Sequence, residues 1–196
     1  RITVPFSWGA KLSGLENKAD IGWYRRTIHV PEAWKGRRVF LVVGACDWLT
    51  KGWFDGRLLG EHRGGYTPFE FELTPQVRWG RDQQVMLRVD DTPHPFKLEG
   101  KHGYGEAKGI WQTVYLEARA PLHFKLLPFT PDIDAGTVTV RAGLSDAAPA
   151  GSVMWLHFPH GERPDAVEQV EAGAREVDFT VPVPAAHLWS VDEPYL

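Results

Sequence analysis

The sequence predicts an all-β protein built as two successive β-sandwiches, and three observations carry that expectation. Helical periodicity is nearly absent. Short runs of alternating apolar and polar residues recur at roughly 8–12-residue spacing. The 20 Gly and 15 Pro are spread along the 196 residues, which suits many strands joined by turns and argues against disorder.

Taken in order, residues 22–30 put Tyr24, Arg26, Ile28 and Val30 on one face and Trp23, Arg25, Thr27 and His29 on the other. Residues 38–44 (RVFLVVG) form a continuous apolar run, as in a strand buried on both faces. Residues 51–54 lead into Asp55-Gly56, a two-residue hairpin signal. Residues 69–73 alternate Phe and Glu. Val85, Leu87 and Val89 share a face, and Asp90-Asp91-Thr92-Pro93 ends that strand. Ile110, Gln112, Val114 and Leu116 then alternate with Trp111, Thr113 and Tyr115 as one strand. Ala120-Pro121 marks a boundary. Beyond it, residues 122–127, 137–142, 153–158 and 177–181 read as strands. The best helical window is 166–176, weakened by Gly173 and by its strand neighbours. The reading is a larger sandwich over 1–120 and a smaller, immunoglobulin-like one over 121–196.

Charge supports the division. Residues 1–120 hold 18 Lys+Arg and 14 Asp+Glu, whereas residues 121–196 hold 4 and 11. The overall net charge of −3 gives no case for nucleic acid. No run reaches the roughly 18 apolar residues of a membrane helix. The single cysteine, Cys46, excludes an internal disulfide and follows a buried strand as a core residue. The opening Arg1-Ile2-Thr3-Val4-Pro5 has no signal-peptide pattern and reads like the middle of a protein.

Most of the obvious chemistries fare poorly. Glu70 and Glu72 share a strand face, but alternation with Phe69 and Phe71 makes that a solvated face rather than a catalytic carboxylate pair. His157 and His160 have metal-like spacing, yet on a strand they point to opposite faces, so no metal site is expected. Gly103-x-Gly105-x-x-x-Gly109 opens no helix and is no phosphate cradle. Arg25 and Arg26 fall on opposite faces and are read as structural. No catalytic residue and no cofactor are expected.

Several ordered segments carry a resemblance. They are Val4-Pro5-Phe6-Ser7-Trp8 with Leu12-Ser13-Gly14, Gly22-Trp23-Tyr24-Arg25-Arg26, and Val30-Pro31 with Trp34. Next come Gly44-Ala45-Cys46-Asp47-Trp48, Trp53-Phe54-Asp55-Gly56 with Leu59-Gly60, and residues 62–71 (HRGGYTPFEF). Residues 109–117 (GIWQTVYLE), Leu188-Trp189-Ser190 and Glu193-Pro194-Tyr195-Leu196 complete the set. In this order they resemble the N-terminal part of family 2 glycoside hydrolases, the β-galactosidase and β-glucuronidase family. The resemblance implies a galactose-binding-like jelly roll, an immunoglobulin-like sandwich, and then a catalytic barrel that carries both catalytic Glu residues. A barrel needs about 250 residues, so the chain is expected to lack it, to be cut within the second domain, and to be inactive alone.

The resemblance also gives the candidate sugar contacts. The loop over residues 98–106 groups Lys101, His102, Tyr104 and Glu106 among glycines, and the matching family loop reaches toward the active site. Lys101-His102 stand where many relatives have Lys-Gln or Gln-Asp, so His102 departs from the pattern; an ordinary surface loop is the competing reading. Asp47-Trp48 resemble the family's Val-Asp turn, and Asp47 either contacts ligand or only caps backbone N–H groups. Trp48 and Trp8 are placed in loops as platforms for a sugar's C–H face. Asp47, Trp48, Lys101 and His102 are expected on one rim of the first sandwich. The expected partners are a carbohydrate, bound weakly, and the barrel of a parent β-glycosidase; a homo-oligomer of the parent is compatible. The rival readings are a free-standing carbohydrate-binding module and an assembly domain with no sugar contact.

Overall fold

In this computed structural model the residues described are 1–16, 19–93, 108–157, 166–183 and 186–194. Two compact units divide the chain, Arg1–Ala120 and Pro121–Leu196. The helical elements among the described residues are single 3-10 turns at Lys11–Ser13, Glu32–Trp34 and Thr74–Gln76.

The first unit contains β1 (Ile21–His29), β2 (Arg38–Val43), β3 (Cys46–Asp47), β4 (Leu49–Phe54), β5 (Arg57–Arg63), β6 (Phe69–Glu72), β7 (Asp82–Asp90), β8 (Gly109–Ile110) and β9 (Val114–Arg119). One sheet has the order β1-β7-β4-β5, a second β6-β2-β9, and β3 pairs with β8. Every pairing is antiparallel. The two larger sheets share one core. Val39, Leu41 and Val43 of β2 meet Val85, Leu87 and Val89 of β7, with Trp8, Phe54 and Phe71 in the same cluster. Period-2 alternation delivers one apolar face from each strand to this core. Asp55 (φ 46°) and Gly56 (φ 79°) form the β4–β5 hairpin turn, the left-handed pair such a turn requires.

Strand β2 is buried on both faces, but its outer cover is charged. Arg38 and Arg119 lie over the Phe40 ring, 5.4 and 4.3 Å from its centroid. Arg38 pairs with Glu72 and Arg119 with Glu70. The carboxylates of β6 are thus bound to arginines, whose stems shelter apolar surface.

The strand expected from Ile110 to Leu116 breaks in two. Ile110 pairs with Cys46, whereas Val114 pairs with Val43. The break at Trp111–Thr113 matches one at Gly44-Ala45. Gly44 N–H donates to Thr113 O at 2.9 Å, and a Cβ on Gly44 would stand 2.8 Å from Gln112 Cβ. The small residues let the two irregular segments pass closely, so the chain leaves one sheet for the β3–β8 pair.

The second unit contains β10 (Phe124–Leu126), β11 (Phe129–Asp132), β12 (Thr137–Leu144), β13 (Val153–Leu156), β14 (Ala166–Gln169) and β15 (Glu176–Pro182). Strand β12 is central, with β15 on one side and β10 and β11 in succession on the other. Strands β13 and β14 pair separately. Ala142, Met154 and Val177 form a small core. The window with the best helical pattern, 166–176, is β14 followed by a turn in which Ala174 N–H donates to Glu171 O at 3.1 Å and Gly173 takes φ 88°.

Candidate functional site

Three separate stretches meet at one end of the first unit. Asp47 follows the buried strand β2 and pairs with Gly109 through β3–β8. Its side chain is 7% exposed and packs against the backbone at Gly65, where an added Cβ would lie 2.8 Å from the Asp47 Cγ. Gly64 N–H donates to Trp48 O at 3.1 Å. Trp111 Nε1–H donates to Gly65 O at 2.8 Å. Tyr66, 70% exposed, stands edge-on to Trp111 with ring centroids 6.1 Å apart. The Asp47–Trp48 peptide is cis. The result is a carboxylate held beside half-buried Trp48 and Trp111 and exposed Tyr66. A carboxylate accepts hydrogen bonds from hydroxyls, and aromatic faces take the apolar C–H side of a pyranose.

Gly109 sets the floor of this end. It takes φ 74°, and a Cβ there would stand 2.5 Å from the Trp8 ring and overlap the Tyr24 hydroxyl. Tyr24 Oη accepts the Ile110 N–H at 3.1 Å. Burial, the dominant effect, raises the Tyr24 phenol well above its ordinary range.

Trp8 needs correcting. The sequence placed it in a loop as a platform, but it is 5% exposed and belongs to the core, stacked on Tyr24 at 5.8 Å. A covered ring offers a sugar no face. The cause is a long-range stitch: Lys108 N–H donates to Ser7 Oγ at 2.7 Å and Trp8 N–H to Lys108 O at 3.1 Å. Lys108, which sequence reasoning passed over, is itself 5% exposed, with Nζ donating to Asp20 Oδ1 at 3.1 Å. A buried ammonium needs such a partner.

Lys101, His102, Tyr104 and Glu106 lie outside the described residues, as does His160. Among the described residues no group of three His, Cys, Asp or Glu side chains is arranged to hold a metal ion. Arg25 and Arg26 are both exposed. Tyr66, Gly65 and Trp111 are the members of this end that the sequence reading did not single out.

Cys46, beneath Asp47, is fully buried. Burial pushes its thiol up to about 12, and the nearby Asp47 and Asp91 charges add to this. A thiolate is the reactive form, so iodoacetamide at pH 8 should label Cys46 only after denaturation; rapid labelling of the folded chain would contradict this packing.

His62 stacks on Phe69 with centroids 4.1 Å apart. Burial lowers its pKa below the ordinary 6.5, opposed by a hydrogen bond from the imidazole to the Gly64 backbone. The folded state therefore favours neutral imidazole, while the unfolded chain binds a proton below pH 6.5. Stability from this group is present above that pH and falls as pH drops through it. Thermal unfolding at pH 7.5 and 5.5 should show a smaller acid loss for His62→Gln than for wild type; equal losses would show that His62 contributes nothing.

Comparison with known proteins decides the family. A model of the glycosyl hydrolases family 2 sugar binding domain matches residues 3–119. The chain belongs to that family. The first unit is its sugar-binding domain, and the three stretches that meet around Asp47 all lie within the match. A β-galactosidase of Thermoanaerobacter pseudethanolicus is 31% identical over 120 residues, covering 60% of this chain and 16% of that protein. A β-glucuronidase of Paenibacillus borealis is 25% identical over 217 residues, covering the whole chain and 35% of that protein. A solved Bacteroides uniformis β-glucuronidase shares the fold with a TM-score of 0.74 at 24% identity, covering 98% of this chain and 25% of that one. The family 2 chain thus spans 16% and 35% of the length of these two curated relatives.

Proposed function

We propose that this chain is the non-catalytic, sugar-side region of a β-glycosidase. In this reading the first unit is a jelly-roll domain whose Asp47 end completes the substrate pocket, and the second is an immunoglobulin-like domain that braces a catalytic barrel. The observation that carries it is the meeting of Asp47-Trp48, Gly65-Tyr66 and Trp111 within a family 2 sugar-binding domain. Asp47 accepts hydrogen bonds from hydroxyls, Trp48 and Tyr66 flank the ring, and the Trp111–Gly65 hydrogen bond fixes the distance between the two sides. Lys101 and His102 are proposed contacts on the strength of the sequence alone.

Retaining hydrolysis needs two free carboxylates about 5 Å apart, and Glu70 and Glu72 are each bound to an arginine. The 196-residue chain should release no chromophore from aryl β-galactosides or β-glucuronides. Turnover that survives repurification would overturn the non-catalytic assignment.

A further inference from the structure

The outer face of the β1-β7-β4-β5 sheet carries a tryptophan pair that the Asp47 end does not use. Trp23 of β1 and Trp53 of β4 lean together across β7, with ring centroids 5.3 Å apart and planes inclined at 32°. Trp23 is 60% exposed. The registers make this face a lattice of two rows. Trp23, Arg88, Lys51 and Glu61 form one row, and Arg25, Met86, Trp53 and Leu58 the next. Single exposed aromatics need no explanation, but two in contact, on a sheet face ringed by charge, present a broad apolar platform with polar edges.

The charges around the platform are unbalanced. Arg25, Lys51, Arg63 and Arg88 share this outer face with Glu61, Asp90 and, at its far end, Asp82, one more cation than anions. Lys51 and Arg63 share the single carboxylate of Glu61, at 3.2 and 3.5 Å. Arg88 holds Asp90 at 2.9 Å, and Arg25 is exposed.

We propose that this face is a second carbohydrate-binding surface, separate from the Asp47 end, and that its ligand is an acidic polysaccharide carrying uronate carboxylates. The open indole face of Trp23 takes the C–H side of a pyranose. Arg25 and the shared Lys51–Glu61–Arg63 cluster take its carboxylates and hydroxyls, because charge-assisted hydrogen bonds to guanidinium are among the strongest available. The excess positive charge disfavours a two-fold contact with a second copy, which would set like charges against each other. This proposal stands apart from the pocket-completing role and survives if that role fails.

Native affinity electrophoresis of the full chain tests it, with polygalacturonate in the gel and neutral dextran as the control. Wild type should be retarded by polygalacturonate and not by dextran. Trp23→Ala and Arg25→Gln/Arg63→Gln should each lose about tenfold or more in affinity, as expected for anchor residues. Trp23, Arg25 and Arg63 are exposed, and an unchanged thermal midpoint will show that the variants are folded. Three outcomes would overturn the proposal: no retardation of wild type, retardation undiminished in both variants, or displacement of the polysaccharide by DNA at equal charge. A wild-type dimer that Trp23→Ala dissociates would also overturn it, assigning the face to a second copy.

Discussion

Gly109→Ala is expected to destabilise the first unit by about 2–4 kcal/mol, combining core overpacking with a left-handed backbone that L residues adopt at a cost. The added methyl would meet the Trp8 ring at 2.5 Å and the Tyr24 hydroxyl. Neither ring can yield easily: Trp8 also packs against Gly22, where a Cβ would lie 2.6 Å from it, and Tyr24 accepts the Ile110 N–H. Relief must come from shifting β8, which carries the pairing partner of Asp47. The variant should therefore lose stability in urea and lose order at the Asp47 end together. A loss under about 1 kcal/mol, close to the range of ordinary surface changes, would contradict the crowding around Gly109.

Asp47→Ala is expected to abolish measurable sugar binding at the Asp47 end. A hydrogen bond to a charged group nets about 1.5–3 kcal/mol, or roughly ten- to a hundredfold in affinity. The half-site alone should bind only in the millimolar range, about −4 kcal/mol, so that loss removes it from detection. Asp47→Asn separates the two roles of the residue. It keeps the shape against Gly65 and one acceptor oxygen, so it should retain the fold and part of the binding. Unchanged affinity in both variants would make Asp47 a structural cap.

What was legible in the sequence was local. Strand β2 showed as an unbroken apolar run, and the β4–β5 hairpin as Asp55-Gly56, because each signal lies within the element it describes. Strand β11 was missed because it contains Pro131, which an interior strand cannot hold; among the described strands of its sheet it pairs with β12 alone, and an edge position tolerates proline. Trp8 was misread because its burial depends on Ser7 and Lys108, 101 residues apart. The same separation hid much of the candidate site. Asp47 and Trp48 were visible as a turn after a buried strand. The Trp111–Gly65 hydrogen bond, spanning 46 residues, and Lys108 beside Asp20, spanning 88, exist only once the sheets have assembled. The outer charge on β2 was illegible for a related reason: burial under Arg38 and Arg119 leaves the same apolar pattern as burial under a second layer.

The central claim, that the Asp47 end is where this domain meets sugar, is tested most directly by titrating the isotopically labelled chain with methyl β-galactoside and methyl β-glucuronide. Amide and indole resonances report each residue separately. The account predicts saturable shifts, with millimolar Kd, at Asp47, Trp48, Gly65, Tyr66 and the Trp111 indole for at least one of the two sugars. If neither sugar moves these resonances at concentrations of about 50 mM, well above a millimolar Kd, the Asp47 end is not a sugar site.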